Sequence, residues 1–145
     1  MANEIQVQSL LQIKSGFQEY LSRPGAFTAD MLGVVGPTPG AFTASKYGTV
    51  VDLSQIVYPG GMCEITNLDP DNYVTYGPYD VDAGTGTFRA LGELLPGESF
   101  VFRLSRMLGK ELGTGSGTTY VDSGLYLMVK ADTAPCVVRV NAFDA

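Results

Sequence analysis

Four aspartates lie close enough along the chain to act together chemically. They flank a short run of aromatic and β-branched residues, and they are Asp69, Asp71, Asp80 and Asp82. Paired carboxylates can hydrolyse glycosidic bonds, and carboxylate oxygens are ligands that calcium prefers. An EF-hand loop, however, requires glycine at the position that Val74 occupies, and aspartate also initiates turns by bonding its own backbone. We therefore predict turn and surface roles for the four residues, with calcium binding as the weaker alternative, and no metal site or cofactor.

Other kinds of catalytic group are missing from the sequence. The chain contains no histidine, which removes the commonest general base, the catalytic triads and the usual zinc ligand. Its two cysteines are too few for a structural zinc site. The glycine-rich stretch 113–117 lacks the lysine of a phosphate-binding loop, and we predict a loop tip there. The sequence thus predicts a protein that is not an enzyme and has no catalytic residues.

The two cysteines, Cys63 and Cys136, each lie inside a strand-like run. A free thiol in such a run behaves as a small buried hydrophobic group. The N-terminus has neither the basic nor the apolar region of a secretory signal, so we expect synthesis in a reducing cytoplasm. Free thiols are therefore expected, and a disulfide between the two residues is the alternative.

Three tyrosines suggest a second kind of binding surface. Aromatic rings at Tyr73, Tyr76 and Tyr79 could form a platform for a sugar. The same residues also suit strands that cover a core or a protein interface, which is the role we expect for them.

Turn signals and two-residue alternation indicate an all-β protein. Pro-Gly occurs four times among eighteen glycines and eight prolines, so we expect less than about a tenth of the chain in helix. Alternation predicts strands over 98–105, 125–130 and 136–141, with the last two joined as a hairpin through 131–133. The faces predicted to be buried consist of Phe100, Phe102 and Leu104, of Leu125, Leu127 and Val129, and of Cys136, Val138 and Val140.

Shorter strand signals precede these. Runs at 49–53, 62–67 and 73–76 are rich in β-branched and aromatic residues, and such close spacing implies a sandwich or barrel. Residues 4–13 and 17–21 are predicted to form a hairpin, although a short helix also fits around residues 9–12. We expect one domain over 1–145, with a sandwich core in 49–145.

The segment 1–48 is predicted to be a hairpin followed by an extended stretch that forms part of an interface. It contains Pro-Gly-Ala-Phe-Thr-Ala twice, at 24–29 and 39–44. Two copies fifteen residues apart are too few and too close for a solenoid, so we interpret them as a local duplication of a turn and a strand. The segment carries more apolar side chains than a compact sandwich can bury. The candidate interface residues are Ile5, Val7, Leu10, Phe27, Met31 and Phe42.

Composition points to protein partners. Hydrophobic residues make up 45% of the chain and charged residues only 17%, so we expect part of the surface to be covered by another protein. The net charge is −6 and the nine Lys and Arg residues are scattered, which argues against nucleic acid and anionic membranes as partners. No apolar run approaches the length of a membrane-spanning helix.

Part of the sequence resembles small jelly-roll virion proteins of tailed bacteriophages. The resemblance runs from Pro59 through Asn67-Leu-Asp and Asn72-Tyr-Val to Gly77, and continues over 94–104, 125–134 and 137–141. It covers about residues 50–145, with 113–119 as an inserted loop. It implies an all-β, jelly-roll-like antiparallel β-sandwich with a loop-rich, partly extended N-terminal segment.

The function implied by this resemblance is that of a capsid decoration or cement protein. Such a protein would be made in the host cytoplasm and would bind the major capsid protein on the outside of the virion. It would stabilise contacts between capsomers, most often as a homotrimer, and would carry no catalytic residues. One alternative is a carbohydrate- or receptor-binding module of a phage tail or fibre, which requires an exposed aromatic platform. Another is a small glycoside-active enzyme, which requires two carboxylates facing one cleft.

Overall fold

The computed structural model describes residues 4–31, 36–56, 61–81, 86–109 and 124–144. These ranges contain no helix, and 55% of their residues lie in strands, which confirms the all-β prediction. The thirteen strands are β1 Ile5–Val7, β2 Leu11–Ser15, β3 Gln18–Ser22, β4 Phe27–Ala29, β5 Thr38–Ala44, β6 Thr49–Val50, β7 Met62–Asn67, β8 Val74–Asp80, β9 Thr87–Phe88, β10 Gly92–Leu94, β11 Ser99–Arg103, β12 Leu125–Ala131 and β13 Cys136–Phe143.

Two antiparallel sheets form the body of the protein. The first sheet has the strand order β5-β13-β7-β11. The second has the order β6-β12-β8-β10, and β9 also pairs with β8. Consecutive strands therefore alternate between the two sheets for much of the chain.

The core lies between these sheets. Alternate residues of β7 and β13 point inward from the first sheet, among them Ile65 and Val138, and both are fully buried. Val74 and Val129 do the same from the second sheet. These residues belong to one continuous hydrophobic cluster, so the two sheets face each other as a β-sandwich.

The predicted hairpin between the last two strands is wrong. β12 pairs with β6 and β8, whereas β13 pairs with β5 and β7 in the other sheet. Residues 132–135 carry the chain from one sheet to the other. A short turn-rich link suits either connection, and alternation along a strand identifies its buried face without identifying its neighbour.

The predicted buried face of β11 is only partly correct. Leu104, just beyond the strand, is 4% exposed, but Phe100 is 41% exposed and Phe102 is half-buried. The reason is that β11 is an edge strand, so its inward side chains reach the open side of the sandwich. There the rings of Tyr76, Phe100 and Phe102 stack with centroids 5.5 to 6.2 Å apart. Leu125, on β12, is also only half-buried.

The outer face of the second sheet is covered as well. Tyr126 is 2% exposed and Met128 is 6% exposed, although both point away from the core. Gly48 lies against the Met128 side chain, and a Cβ on Gly109 would come within 2.6 Å of the Tyr126 ring. Neighbouring loops therefore pack on this face, which strand alternation alone does not predict.

Candidate protein interface

Residues 4–31, which we call the arm, form two small ladders of their own. β2 pairs with β3 from Leu11 opposite Ser22 to Ser15 opposite Gln18, which leaves Gly16 and Phe17 as a two-residue loop. Gly16 has a φ of 57°, as a tight hairpin turn requires at its first position. A hairpin is present and residues 9–12 form no helix, but the predicted bounds were too long: only Leu11–Ser15 pairs with Gln18–Ser22, and Ile5–Val7 pairs with β4 instead.

The β2–β3 hairpin exposes an apolar face. The register places Leu11, Ile13 and Tyr20 on the same side, and these side chains are 54%, 51% and 57% exposed. Lys14 and Glu19 lie opposite each other on the other side, with Nζ and Oε1 3.3 Å apart. Phe17 projects fully exposed from the loop. The hairpin is therefore amphipathic, and we call its Leu11, Ile13 and Tyr20 side the apolar face of the arm.

The second ladder joins the two ends of the arm. β1 pairs with β4, and Val7 lies opposite Phe27. The β2–β3 hairpin lies between these two paired strands along the chain. The backbone N–H of Met31 donates to Oε2 of Glu4 over 3.1 Å. An isolated two-stranded hairpin is marginally stable in water, so the arm gains stability when its apolar face is covered.

The predicted interface residues divide into three groups. Leu10 and Phe27 are 57% and 44% exposed, as contact residues of a partner should be before it binds. Ile5, Val7 and Met31 are half-buried within the arm. Phe42 is placed differently: it lies on β5 opposite Val138 and packs against the sandwich core, so it is not part of the arm. The alternation that identifies core residues in later strands would have identified Phe42 as well.

Sequence reasoning missed the main exposed residues of the hairpin. The residues concerned are Leu11, Ile13, Phe17, Tyr20 and Leu21. The signal was present as the alternation of Leu11 and Ile13, but alternation is read most easily as a core strand.

The aspartates do not form one site. Oδ1 of Asp69 accepts hydrogen bonds from the backbone N–H groups of Asp71 and Asn72, at 3.0 and 2.7 Å. These bonds hold the pKa of Asp69 below its usual value. Asp80 lies at the far end of β8, six residues beyond Val74 and therefore roughly 20 Å from the start of that strand. Asp82 lies outside the described residues.

Asp69 is part of a hydrogen-bonded corner centred on Asn67, which is 0% exposed. Nδ2 of Asn67 donates to the carbonyl oxygens of Asn72 and Leu94, at 2.8 and 3.0 Å. Its Oδ1 accepts from the backbone N–H of Asp69 at 3.0 Å. This one side chain ties the β7–β8 turn to the end of β10, and it explains the Asn-Leu-Asp sequence as turn chemistry.

The tyrosines do not form a common platform. Tyr76 is buried on the core face of β8 against Phe100, whereas Tyr79 lies on the opposite face of the same strand. Tyr73 precedes the strand and is 36% exposed. Its phenol bonds to Asp132, which raises the pKa of Tyr73.

Both cysteines are free and buried. Cys63 pairs with Ala142 across the first sheet, and Cys136 lies six residues from Ala142 along β13, about 20 Å away. A disulfide requires Cα atoms within about 7 Å, so the two thiols cannot be joined in this fold. Burial raises the pKa of Cys63 to about 12.

Comparison with known proteins gives no relative. The chain matches no protein-family model, no curated protein and no solved structure. Within the described ranges, no three His, Cys, Asp or Glu residues gather as a metal-binding group. No helix there is long and apolar enough to cross a lipid bilayer. The class of protein is therefore defined by its architecture: a β-sandwich that carries an amphipathic arm.

Proposed function

We propose that the chain is a capsid decoration or cement protein of a tailed bacteriophage, with no enzymatic activity. It binds the outside of the shell and stabilises contacts between capsomers. The observation that carries the proposal is the exposed apolar face of the arm, beside a sandwich that has a continuous hydrophobic core of its own.

The arm supplies enough apolar surface for assembly. A stable interface buries about 800 Å² per partner, and aromatic side chains alone bury about 150–250 Å² each. Phe17, Tyr20 and Phe27 are all exposed, together with the leucines and isoleucine of the hairpin. We propose that these side chains hold copies of the chain together, most often as a trimer, and contact the major capsid protein.

The strand connectivity supports a jelly-roll assignment for the sandwich. Counting only its eight main strands, β5 to β8 and β10 to β13, the two sheets have the orders 1-8-3-6 and 2-7-4-5. This interleaving is what two Greek keys in one double-layered sandwich produce. It agrees with the resemblance of the sequence to jelly-roll virion proteins.

Particle solubility fits the same role. A net charge of −6 keeps many copies on one shell from associating through their outer loops. Each chain needs only a modest interface if the chains are joined as an oligomer, because linked binding sites engage one shell together. The carbohydrate-binding alternative gains no support, since Tyr76 and Tyr79 lie on opposite faces of β8 and Tyr76 is buried in the core.

The proposal is tested by sedimentation with emptied, expanded capsids of the phage that encodes the chain. We expect the full chain to co-sediment with the shells and to raise their melting temperature. Removal of residues 1–20 should weaken assembly and capsid binding more than it lowers the melting temperature of the chain itself.

A matched pair of substitutions isolates the apolar face. Ile13→Asp places a charge on that face, whereas Gln12→Asp places the same charge on the opposite face one residue away. We expect Ile13→Asp to dissociate the oligomer in light scattering and Gln12→Asp to leave it intact. A monomeric full chain, together with full capsid binding by the truncated chain, would contradict the proposal.

A further inference from the structure

The proposed function uses Phe27 from the first copy of the repeated hexapeptide, but it does not explain why the hexapeptide occurs twice. Residues 24–29 and 39–44 both have the sequence Pro-Gly-Ala-Phe-Thr-Ala. The first copy contributes β4 to the arm, and the second forms most of β5, the edge strand beside β13. The same sequence therefore occupies two different environments in one chain.

Both copies make similar cross-strand pairs. Phe27 lies opposite Val7 in the arm, and Phe42 lies opposite Val138 in the sandwich. The alanine two residues later in each copy also faces an apolar residue, Ile5 in the arm. Cross-strand pairs are the unit of sheet stabilisation, so the hexapeptide has the same pairing preference in either place.

The position beside β13 makes two strict demands, and the first copy meets both. Ala44 is 0% exposed, so the position accepts only a small side chain, and the first copy has Ala29 there. Gly40 has a φ of 86°, which favours glycine, and the first copy has Gly25 there.

We infer that residues 24–29 can take the place of residues 39–44 beside β13 of the same chain, so that the sandwich has two registers fifteen residues apart. Exchange within one chain, with residues 30–44 looped out, is favoured over exchange between two chains because the two copies lie only fifteen residues apart. The second register is the minor one, because closing that loop costs entropy and β1 loses its partner strand.

The register determines how far the arm can reach. In the described register the chain enters the sandwich at residue 38, where β5 begins, and in the alternative register it enters at residue 23. Fifteen residues span up to about 50 Å when extended. One chain can therefore hold the β2–β3 hairpin at two different distances from the sandwich. The inference does not depend on which partner the arm contacts.

Glutamate substitutions test the exchange through stability. Ala44→Glu puts a carboxylate at a buried position, and the register shift replaces it with Ala29. We expect Ala44→Glu to lower the melting temperature by less than about 10 °C and to keep a cooperative transition. Ala29→Glu alone should have a smaller effect, and the double variant should lose the transition because neither copy then fits.

The matched control is a buried alanine outside the repeated hexapeptide, for which no second copy can replace the altered residue. Ala142 is also 0% exposed and faces the core from β13, so Ala142→Glu should abolish cooperative unfolding. If Ala44→Glu behaves like Ala142→Glu, or if the double variant is no worse than Ala44→Glu, the inference is overturned.

Cross-linking tests the register directly in the full chain. Arg139 lies opposite Ala41, whose counterpart in the first copy is Ala26, and opposed Cα atoms in antiparallel strands are about 4.5–5.5 Å apart. Ala41→Cys with Arg139→Cys should form a disulfide in the parent chain. In the Ala44→Glu background, Ala26→Cys with Arg139→Cys should form one within a single chain on a non-reducing gel. The same background without added cysteines is run alongside. No disulfide, or one that joins only two chains, would overturn the inference.

Discussion

Replacing Asn67 with alanine removes the side chain that closes the corner between β7, β8 and β10. Three backbone groups lose a hydrogen bond: the carbonyls of Asn72 and Leu94 and the N–H of Asp69. Leu94 is 4% exposed, so its carbonyl has little access to water, whereas Asn72 and Asp69 are half-buried and can be rehydrated. Leaving the buried Leu94 carbonyl without this hydrogen bond costs about 1–3 kcal/mol. With smaller losses at Asn72 and Asp69, we expect Asn67→Ala to lower the free energy of unfolding by about 3 kcal/mol in total.

The measurement is urea unfolding followed by circular dichroism, with the free energy of unfolding extrapolated to water. Asn141→Ala is the matched control, because Asn141 lies on the outward face of β13 and its Nδ2 donates to a single acceptor, Oε2 of Glu64, at 3.1 Å. We expect that control to lose about 1.5 kcal/mol, the low end of the range for a hydrogen bond to a charged group, because both side chains are only half-buried. A loss for Asn67→Ala no larger than the control would show that the corner is not held by this side chain.

Three further predictions concern the edge strand, the turn aspartate and a thiol. Phe102→Ala should cost about 2 kcal/mol in urea unfolding, below the 3–5 kcal/mol expected of a fully buried ring, because Phe102 is half-buried against Tyr76 and Phe100. Folding lowers the pKa of Asp69 below its ordinary value of 3.8. Its contribution to stability is therefore present at pH values above 3.8 and is lost as the pH falls through the lowered pKa of the folded state. Below about pH 4, the melting temperature should therefore fall less steeply with decreasing pH for Asp69→Asn than for the parent. Equal slopes for the two proteins would contradict this. Cys63, with a pKa raised to about 12, should not react with a thiol reagent at neutral pH unless urea is added, and rapid labelling of the native protein would refute its burial.

Strand identity was predictable from sequence, and strand neighbours were not. Alternation correctly placed Leu127, Val129, Val138 and Val140 in the core, because only one apolar face exists on each strand. It also led to the wrong hairpin, since a four-residue link can turn within a sheet or cross between sheets. The exposure of Phe100 follows from the edge position of β11, which depends on long-range pairing that no local pattern reveals.

The candidate site was predictable at the level of a segment. The excess of apolar residues before residue 49 predicted an interface in this segment, and Leu10 and Phe27 are exposed there. The interface itself stays a prediction. The excess did not separate Phe42 from Phe27, because identical hexapeptides carry no local information about which copy enters the core. The aspartates were ambiguous for a related reason: turn formation and calcium binding use the same oxygen atoms, and only the geometry around Asp69 distinguishes them.

The central position of β13 has a consequence for how the protein is made. β13 follows every other sandwich strand along the chain, yet it lies between β5 and β7 in the first sheet. During synthesis those two strands leave the ribosome without their shared neighbour. The backbone edge of each that pairs with β13 stays unpaired until nearly the whole sandwich has been translated. Pairings between such distant segments form slowly. Refolding yield should therefore fall steeply as protein concentration rises, because intermolecular pairing competes with the arrival of this one strand.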